Sequence, residues 1–205
     1  MAYRETPLVT QRKAAQKSAL LHAAESLVRE GGFGALTIQA LASVAGVGVG
    51  TVYRYFSNKD ELSTEVFRRA MIREVEAVQI ALLSEGPVAI RLAAAAEIFA
   101  QRAFAAPKLA WALIAEPVDP AVDLARLQYR KRYSALFEAV ISEGVETGVL
   151  APQLPSLSAA ALVGAMAESL LGPLVHPGCN EQTTSALRDF CLRAVGLVDS
   201  TADKS

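Results

Sequence analysis

The sequence predicts an all-α fold, and three observations carry that prediction. Several segments place apolar residues at i, i+3, i+4 and i+7; no segment alternates apolar with polar residues over a strand's length; and Gly or Pro punctuates the chain at helix-length intervals. Apolar residues make up 52% of the 205 and charged residues 20%, which supplies a core and excludes a disordered chain. The length exceeds that of a lone three-helix module of roughly 60 residues and suits such a module joined to a larger partner domain. About nine helices are expected, with no internal repeat.

The first helix starts near Thr10, is striped by Leu20, Ala24, Leu27 and Val28, and stops at Gly31-Gly32, after which Phe33 and Leu36 return to the same core. Residues 37 to 62 then read as two short amphipathic helices joined by a glycine turn, with a capped helix following. Ile38, Leu41, Ala42 and Ala45 share one face of the first of this pair, and Val52 and Phe56 share a face of the second, so the two faces pack together. Gly46 falls where the chain reverses, a position that favours positive φ, and Val47 plugs the turn. With Val52 inward, Gly50, Thr51, Tyr53 and Arg54 point outward.

Ser57, with Asp60 three residues on, predicts an N-cap for a long helix from about Asn58 to Leu83 whose acidic first turn suits the helix dipole. Gly86-Pro87 restarts the chain for a helix to about Ala105, and Pro107 opens a short one through Trp111. Asp119-Pro120 reads as an N-cap and N1 proline for a helix to about Glu146, closed by Gly148. Ser156 to Leu171 and Asn180 to Val198 complete the set. Two domains follow: residues 1–57 as a helix-turn-helix head, and 58–205 as a larger helical body.

A helix-turn-helix presents one short helix to the major groove of duplex DNA, so this stretch points to both a partner and a function. Thr51 and Tyr53 can donate to phosphate oxygens, Arg54 can reach phosphate or guanine, and Gly50 lets the backbone come close. Thr37 and Gln39 begin the preceding helix where exposed amides favour the sugar-phosphate edge, and Lys59 adds charge at the next helix start. The net charge of −1 hides an asymmetry: residues 1–60 carry seven basic side chains against four acidic, a mildly basic head on an acidic body.

The run from Ala45 to Phe56, Ala-Gly-Val-Gly-Val-Gly-Thr-Val-Tyr-Arg-Tyr-Phe, followed by Asn58-Lys59-Asp60-Glu61-Leu62, closely resembles the signature of the tetracycline-repressor (TetR) family over about residues 10 to 70. The resemblance implies a three-helix head whose third helix enters the major groove, with DNA contacts at Thr37, Gln39, Val49, Gly50, Thr51, Tyr53, Arg54, Tyr55 and Lys59. The helical wheel sets Val49 at the flank and Tyr55 nearer the core. Many relatives carry Ser at the position of Gly48 and a polar residue at Val49, so specificity here leans on Arg54, thymine-methyl contacts and DNA shape.

The same resemblance implies a helical body with a ligand cavity and a four-helix dimer interface built by its last two helices. Phe99, Phe104, Trp111, Tyr129, Tyr133, Phe137 and Met166 lie on the helices that would enclose an apolar or amphipathic effector, although aromatics at helical spacing are also ordinary core. Arg126, Arg130, Lys131 and Arg132 read as a solvated face. Ala160, Gly164, Ala167 and Leu171 on one helix, with Leu187, Phe190, Cys191 and Ala194 on the last, are the expected homodimer interface, since a palindromic operator calls for a twofold-symmetric reader. The implied function is a transcriptional regulator, a repressor released by a small effector.

Other classes find less support in the residues. His22 lies on the first helix and His176 in a Pro-Gly loop, neither in metal-ligand spacing with Cys179 or Cys191, and no nucleophile and base pair stands out, so neither enzyme activity, catalytic residues, a metal nor a cofactor is expected. The two thiols read as inert rather than as a redox pair, in a reducing cytoplasm. Gly46, Gly48 and Gly50 lack the preceding strand and following Gly-Lys-Ser/Thr of a phosphate loop. The longest uncharged stretch, Thr147 to Ala167, contains Pro152 and Pro155 and breaks at Glu168, so no membrane span is expected. A helical protein-binding adaptor or an all-α enzyme without DNA binding is the alternative.

Overall fold

The computed structural model describes residues 7–176, 178 and 180–197. Among them nine helices form, and no strand longer than the single bridge between Leu150 and Leu197. In order they are α1 (Pro7–Ala35), α2 (Ile38–Val44), α3 (Val49–Tyr53), α4 (Lys59–Leu82), α5 (Val88–Ala105), α6 (Pro107–Ile114), α7 (Pro120–Glu146), α8 (Pro155–Val175) and α9 (Asn180–Ala194).

α1 to α3 pack as the head, and α4 continues from it into the body. Leu20, Ala24, Val28, Leu36, Leu41, Val52, Phe56, Leu62 and Val66 are all buried in one core, so the first turns of α4 seal the head's apolar centre. Polar contacts on the rim hold α1 along α4: Lys17 pairs with Glu65 at 2.8 Å, Arg69 and Arg73 share Glu25 at 2.9 and 3.1 Å, and an Arg69 guanidinium nitrogen lies 2.7 Å from His22 Nε2. In the body α4 packs on both α5 and α7, α5 pairs with α9, and α7 pairs with α8.

The cap of α4 differs from the sequence expectation by one residue. Asn58, not Ser57, is the N-cap: its side chain accepts from the Glu61 N–H at 2.8 Å, and the Glu61 carboxylate reaches back to accept from the Ser57 N–H at 2.7 Å. That bond holds the Glu61 carboxyl below the usual carboxylate range. Asn is as good an N-cap as Ser, so both Ser57 and Asn58 fit the pattern and the spacing to Glu61 decides.

Other boundaries shift for local reasons. α6 runs three residues past Trp111 to Ile114, where Arg126 from α7 reaches its last carbonyls: Nε donates to Leu113 O at 3.0 Å and Nη2 to Ala112 O at 3.2 Å. α8 starts at Pro155 and passes through Pro173 in its last turn to Val175, at the cost of the one ladder bond that Pro173 cannot donate. α9 stops at Ala194, and Gly196 (φ 65°) turns the chain so that its carbonyl accepts from Ala151 N–H at 2.8 Å; the expected end at Val198 lies outside the described residues.

Pro155 occupies the first turn of α8 and Pro152 precedes it, so neither interrupts the helix, and the proline argument against a membrane span does not hold. By length and composition α8 is apolar enough to cross a bilayer, with a mean hydropathy of 1.5 over its best window. Its inner face, Ala159, Leu162, Met166, Leu170 and Leu174, is buried in the body; its outer face carries Leu157 and Val175, each more than half exposed.

The end of α1 shows where a glycine is required. Gly32 takes φ 71° and ψ −175°, a region essentially restricted to glycine, and an added Cβ would stand 2.6 Å from a Glu116 carboxylate oxygen. Gly32→Ala should therefore cost about 1–3 kcal/mol from backbone strain alone. For a chain of this size, that lowers the thermal midpoint by roughly 5 °C in a circular dichroism melt. An unchanged midpoint would mean that the turn readily adopts another path.

Candidate DNA-binding head and ligand cavity

The turn between α2 and α3 is a glycine-terminated helix end. Val47 N–H donates to Ala42 O at 3.0 Å and Gly46 N–H to Ser43 O at 3.2 Å, with Gly46 at φ 64°, so the orphan carbonyls of α2 are satisfied as the chain reverses. Thr37 caps the other end of α2 by accepting from Ala40 N–H at 3.0 Å, which leaves its hydroxyl proton free to donate outward.

α3 buries Val52, and Phe56 just beyond it, with no exposed surface, which turns the rest of the helix to solvent. Val49, Gly50, Tyr53 and Arg54 are exposed and Thr51 is half-buried; Thr37 and Gln39 on α2 and Lys59 at the start of α4 are exposed too. A Cβ at Gly48 or Gly50 would meet nothing within 4 Å, so this face is open. Arg54 and Lys59 have no acidic partner among the described residues, unlike Lys17 of α1 and Arg69 and Arg73 of α4. Tyr55 differs from its neighbours: it is half-buried and its hydroxyl donates to Gln16 Oε1 of α1 at 2.8 Å. Val44, which the sequence reading did not single out, is more than half exposed at the end of α2, and an exposed valine beside a turn carries no sequence signal of its own.

The body contains a mostly apolar, partly open cavity of about 80 Å³ lined by residues of α4, α5, α6, α7 and α8. Of the seven residues expected there, Phe99 and Tyr133 line it, their rings edge-to-face at 6.0 Å. Phe137 and Met166 are instead wholly buried in the packed core, and Phe104 packs against that core. Trp111 faces a separate groove between α6 and the ends of α1 and α8. Tyr129 packs its ring on Phe67 at 6.0 Å and donates to Arg68 O at 3.2 Å. Helical spacing shows that these side chains share helices, not which of them faces a void.

Met71, Val78, Leu109, Leu113 and Val163 supply the apolar lining, and Glu74, Arg102, Arg126 and Arg130 the polar groups. Arg102 forks onto Glu74 at 2.6 and 2.9 Å, which raises the Arg102 pKa, and burial raises that of Tyr133. Arg126 is not part of a solvated face. Its guanidinium is half-buried, so desolvation lowers its pKa, and it donates to three carbonyls and to Asp123 at 2.5 Å. Arg130, Lys131 and Arg132 are exposed.

On α8, Ala160 and Gly164 are exposed and Leu171 half-buried, at helical spacing with exposed Leu157 and Val175, and on α9 Phe190 and Ala194 are exposed. Ala167, Leu187 and Cys191 turn inward; Ala167 lines the cavity, and Leu187 and Cys191 belong to the body core. Burial pushes the Cys191 thiol up to about 12, so it is a poor nucleophile; Cys179 lies outside the described residues. Among the described residues no cluster of three or more His, Cys, Asp or Glu is placed to hold a metal ion.

A two-helix reading unit with a glycine turn, a buried back and an open, cationic front defines a helix-turn-helix DNA-binding protein. Residues 20–66 match the family model described as bacterial regulatory proteins, tetR family. That match covers α2, α3 and the adjoining parts of α1 and α4, and leaves the rest of the chain unmatched. Over 52 residues it is 40% identical to an uncharacterised helix-turn-helix transcriptional regulator, YhgD of Bacillus subtilis strain 168, a match spanning 25% of this chain and 27% of that protein's length.

Solved structures share the fold over most of the chain, among them two regulators. The fatty acid degradation regulator FadR from Bacillus halodurans superposes with a TM-score of 0.73 at 21% identity, covering 85% of this chain and 97% of that one. FadR from Bacillus subtilis in complex with stearoyl-CoA gives 0.72 at 20% identity, covering 89% and 99%. At these identities the likeness is one of fold.

Proposed function

We propose that the chain is a ligand-released transcriptional repressor that reads a palindromic operator as a homodimer in the cytoplasm. The observation that carries this reading is the open face of α3: Val49, Gly50, Tyr53 and Arg54 stand outward on a helix whose other side is wholly buried, with Arg54 and Lys59 unneutralised. Such a face suits a major groove, where Arg54 meets guanine or phosphate, Tyr53, Thr51, Thr37 and Gln39 fix the register on phosphates, and Val49 with Val44 offers methyl groups to thymine. The hydroxyl of Tyr55, engaged with Gln16, contributes by holding α3 on α1.

The apolar outer faces of α8 and α9 support dimerisation, because a second copy covers them and sets two α3 helices one DNA turn apart, roughly 34 to 36 Å. The cavity supports an apolar or amphipathic effector. At about 80 Å³ it holds a few waters, well below the ~300 Å³ of a small-ligand pocket, so binding must part the helices around it. The stearoyl-CoA complex of Bacillus subtilis FadR shows an amphipathic ligand, a long acyl chain on a charged coenzyme A group, with a protein of this fold. α4 runs from the head into the body, and movement transmitted along it changes the separation of the two reading helices.

Selection of genomic DNA fragments on the immobilised protein tests this reading: an inverted repeat with half-sites about one turn apart is expected, and recovery of no duplex sequence would overturn it. On the selected operator, Arg54→Ala should reduce the salt slope of binding by roughly 1 per head, and Tyr53→Phe should weaken binding modestly across sequences. Parental behaviour in both variants would mean that α3 is not the docking element.

A further inference from the structure

The head meets the body at a second place besides α4. The carboxylate of Glu116, in the loop after α6, accepts from two backbone N–H groups at the end of α1: Phe33 at 2.8 Å to Oε2 and Gly34 at 3.0 Å to Oε1. These amides become available because Gly32 breaks the helix at positive φ, and the bare Gly32 backbone lets the carboxylate approach. Lys108, at the start of α6, donates to Glu30 O at 2.8 Å and fastens the same end of α1. The backbone of Glu116 is in turn held by the cavity wall, since Arg126 Nη2 donates to Glu116 O at 2.9 Å while the same guanidinium grips the Ala112 and Leu113 carbonyls at the end of α6. Leu113, Ile114 and Arg126 all line the cavity.

On the head side, Phe33 lies 6.3 Å ring to ring from Phe67, and two residues separate Gly34 from Thr37, the cap of α2. A continuous set of contacts thus runs from the cavity through Arg126 and the two ends of Glu116 to the start of the reading unit.

We propose that Glu116 is the positioning residue that couples occupancy of the cavity to the set of the head, a proposal that rests on the ligand-released reading above. When the cavity expands, the end of α6 and Arg126 shift, the Glu116 carboxylate leaves the Phe33 and Gly34 amides, and α1 with α2 reorients. Without that carboxylate the cavity wall still moves, but the head does not follow.

A cavity-filling substitution stands in for an unidentified ligand. Ala103→Leu, from the α5 wall, places bulk into the cavity, whose lining includes neither Glu116 nor a residue of α1. Affinity for the selected operator is measured in four proteins: parent, Ala103→Leu, Glu116→Ala and the double variant. The expected result is a loss of at least about fivefold from Ala103→Leu in the parent, shrinking to less than about twofold in the Glu116→Ala background. Glu116→Gln, which keeps the length and one acceptor, should restore part of the coupling, so in its background the Ala103→Leu loss falls between those two values; if Glu116→Ala fails to fold, that reduced loss in Glu116→Gln is the expected result, and a loss equal to the parent's overturns the proposal.

An equal loss in both backgrounds, or no loss in either, overturns the proposal while leaving the DNA-binding reading intact. If the parent binds no duplex, the regulator reading fails on its own terms, and amide hydrogen exchange then decides for the latch. The Phe33 and Gly34 amides should exchange at least about tenfold faster in Ala103→Leu than in the parent, and equal rates overturn it.

Discussion

Placing arginine on the outer faces of α8 and α9, as Leu157→Arg with Phe190→Arg, should convert the proposed dimer to a monomer and lower operator affinity by about a hundredfold or more. Both side chains point away from the body, Leu157 64% and Phe190 43% exposed, so arginine there leaves the monomer's own core untouched. In a second copy's interface the same charges would be buried without partners, which the association cannot support. Losing the second head removes the gain from linked binding, commonly 10²- to 10⁴-fold. Sedimentation velocity reports the mass and a fluorescence anisotropy titration the affinity. A variant that remains a dimer would place the interface on another face, and a monomer that keeps parental affinity would separate dimerisation from DNA binding.

Phe67→Ala should give the largest loss of stability, about 3–5 kcal/mol. Phe67 is wholly buried on α4 where head and body meet: its ring faces Phe33 at 6.3 Å, Tyr129 at 6.0 Å and the Arg126 guanidinium at 5.9 Å. Truncation leaves a cavity at that junction, and the residues around it come from α1 and α7, which are held apart by their own packing and do not collapse into it together. Denaturant titration should show the midpoint falling sharply, and a loss under about 1 kcal/mol would mean that the junction repacks freely.

The placement of Phe67 also shows what could and could not be read in the residues. Its burial follows from the stripe on α4, whereas its position between two domains depends on the path of α4 past α1 and α7. The helices themselves were legible: Gly46, Gly148 and the Pro107 and Pro120 starts mark boundaries that the structure shares, since backbone freedom and a missing N–H act locally. Asn58 displaced Ser57 as a cap because two adjacent residues of equal capping power compete and geometry chooses.

The reading unit was equally legible, because the alternation of buried Val52 and Phe56 with open Gly50, Tyr53 and Arg54 is set by one short helix. The cavity was not. Its lining comes from five helices, and whether Phe99 or Phe137 faces it depends on rotations that no single helix encodes. Arg126 shows the same limit: on α7 it belongs to a run of cations, and it becomes the clamp on α6 through Leu113, Ala112 and Glu116, residues 10 to 14 positions earlier in the chain.

The central claim is that paired α3 faces dock on duplex DNA, and the salt dependence of binding to the selected operator tests it most directly. With Arg54 and Lys59 of two heads meeting phosphates, log affinity should fall with log salt at a slope of roughly −3 to −4. Binding should saturate at one dimer per inverted repeat, and a duplex with one half-site scrambled should bind far more weakly. Absence of duplex binding at low salt, or a slope near zero, would contradict the account.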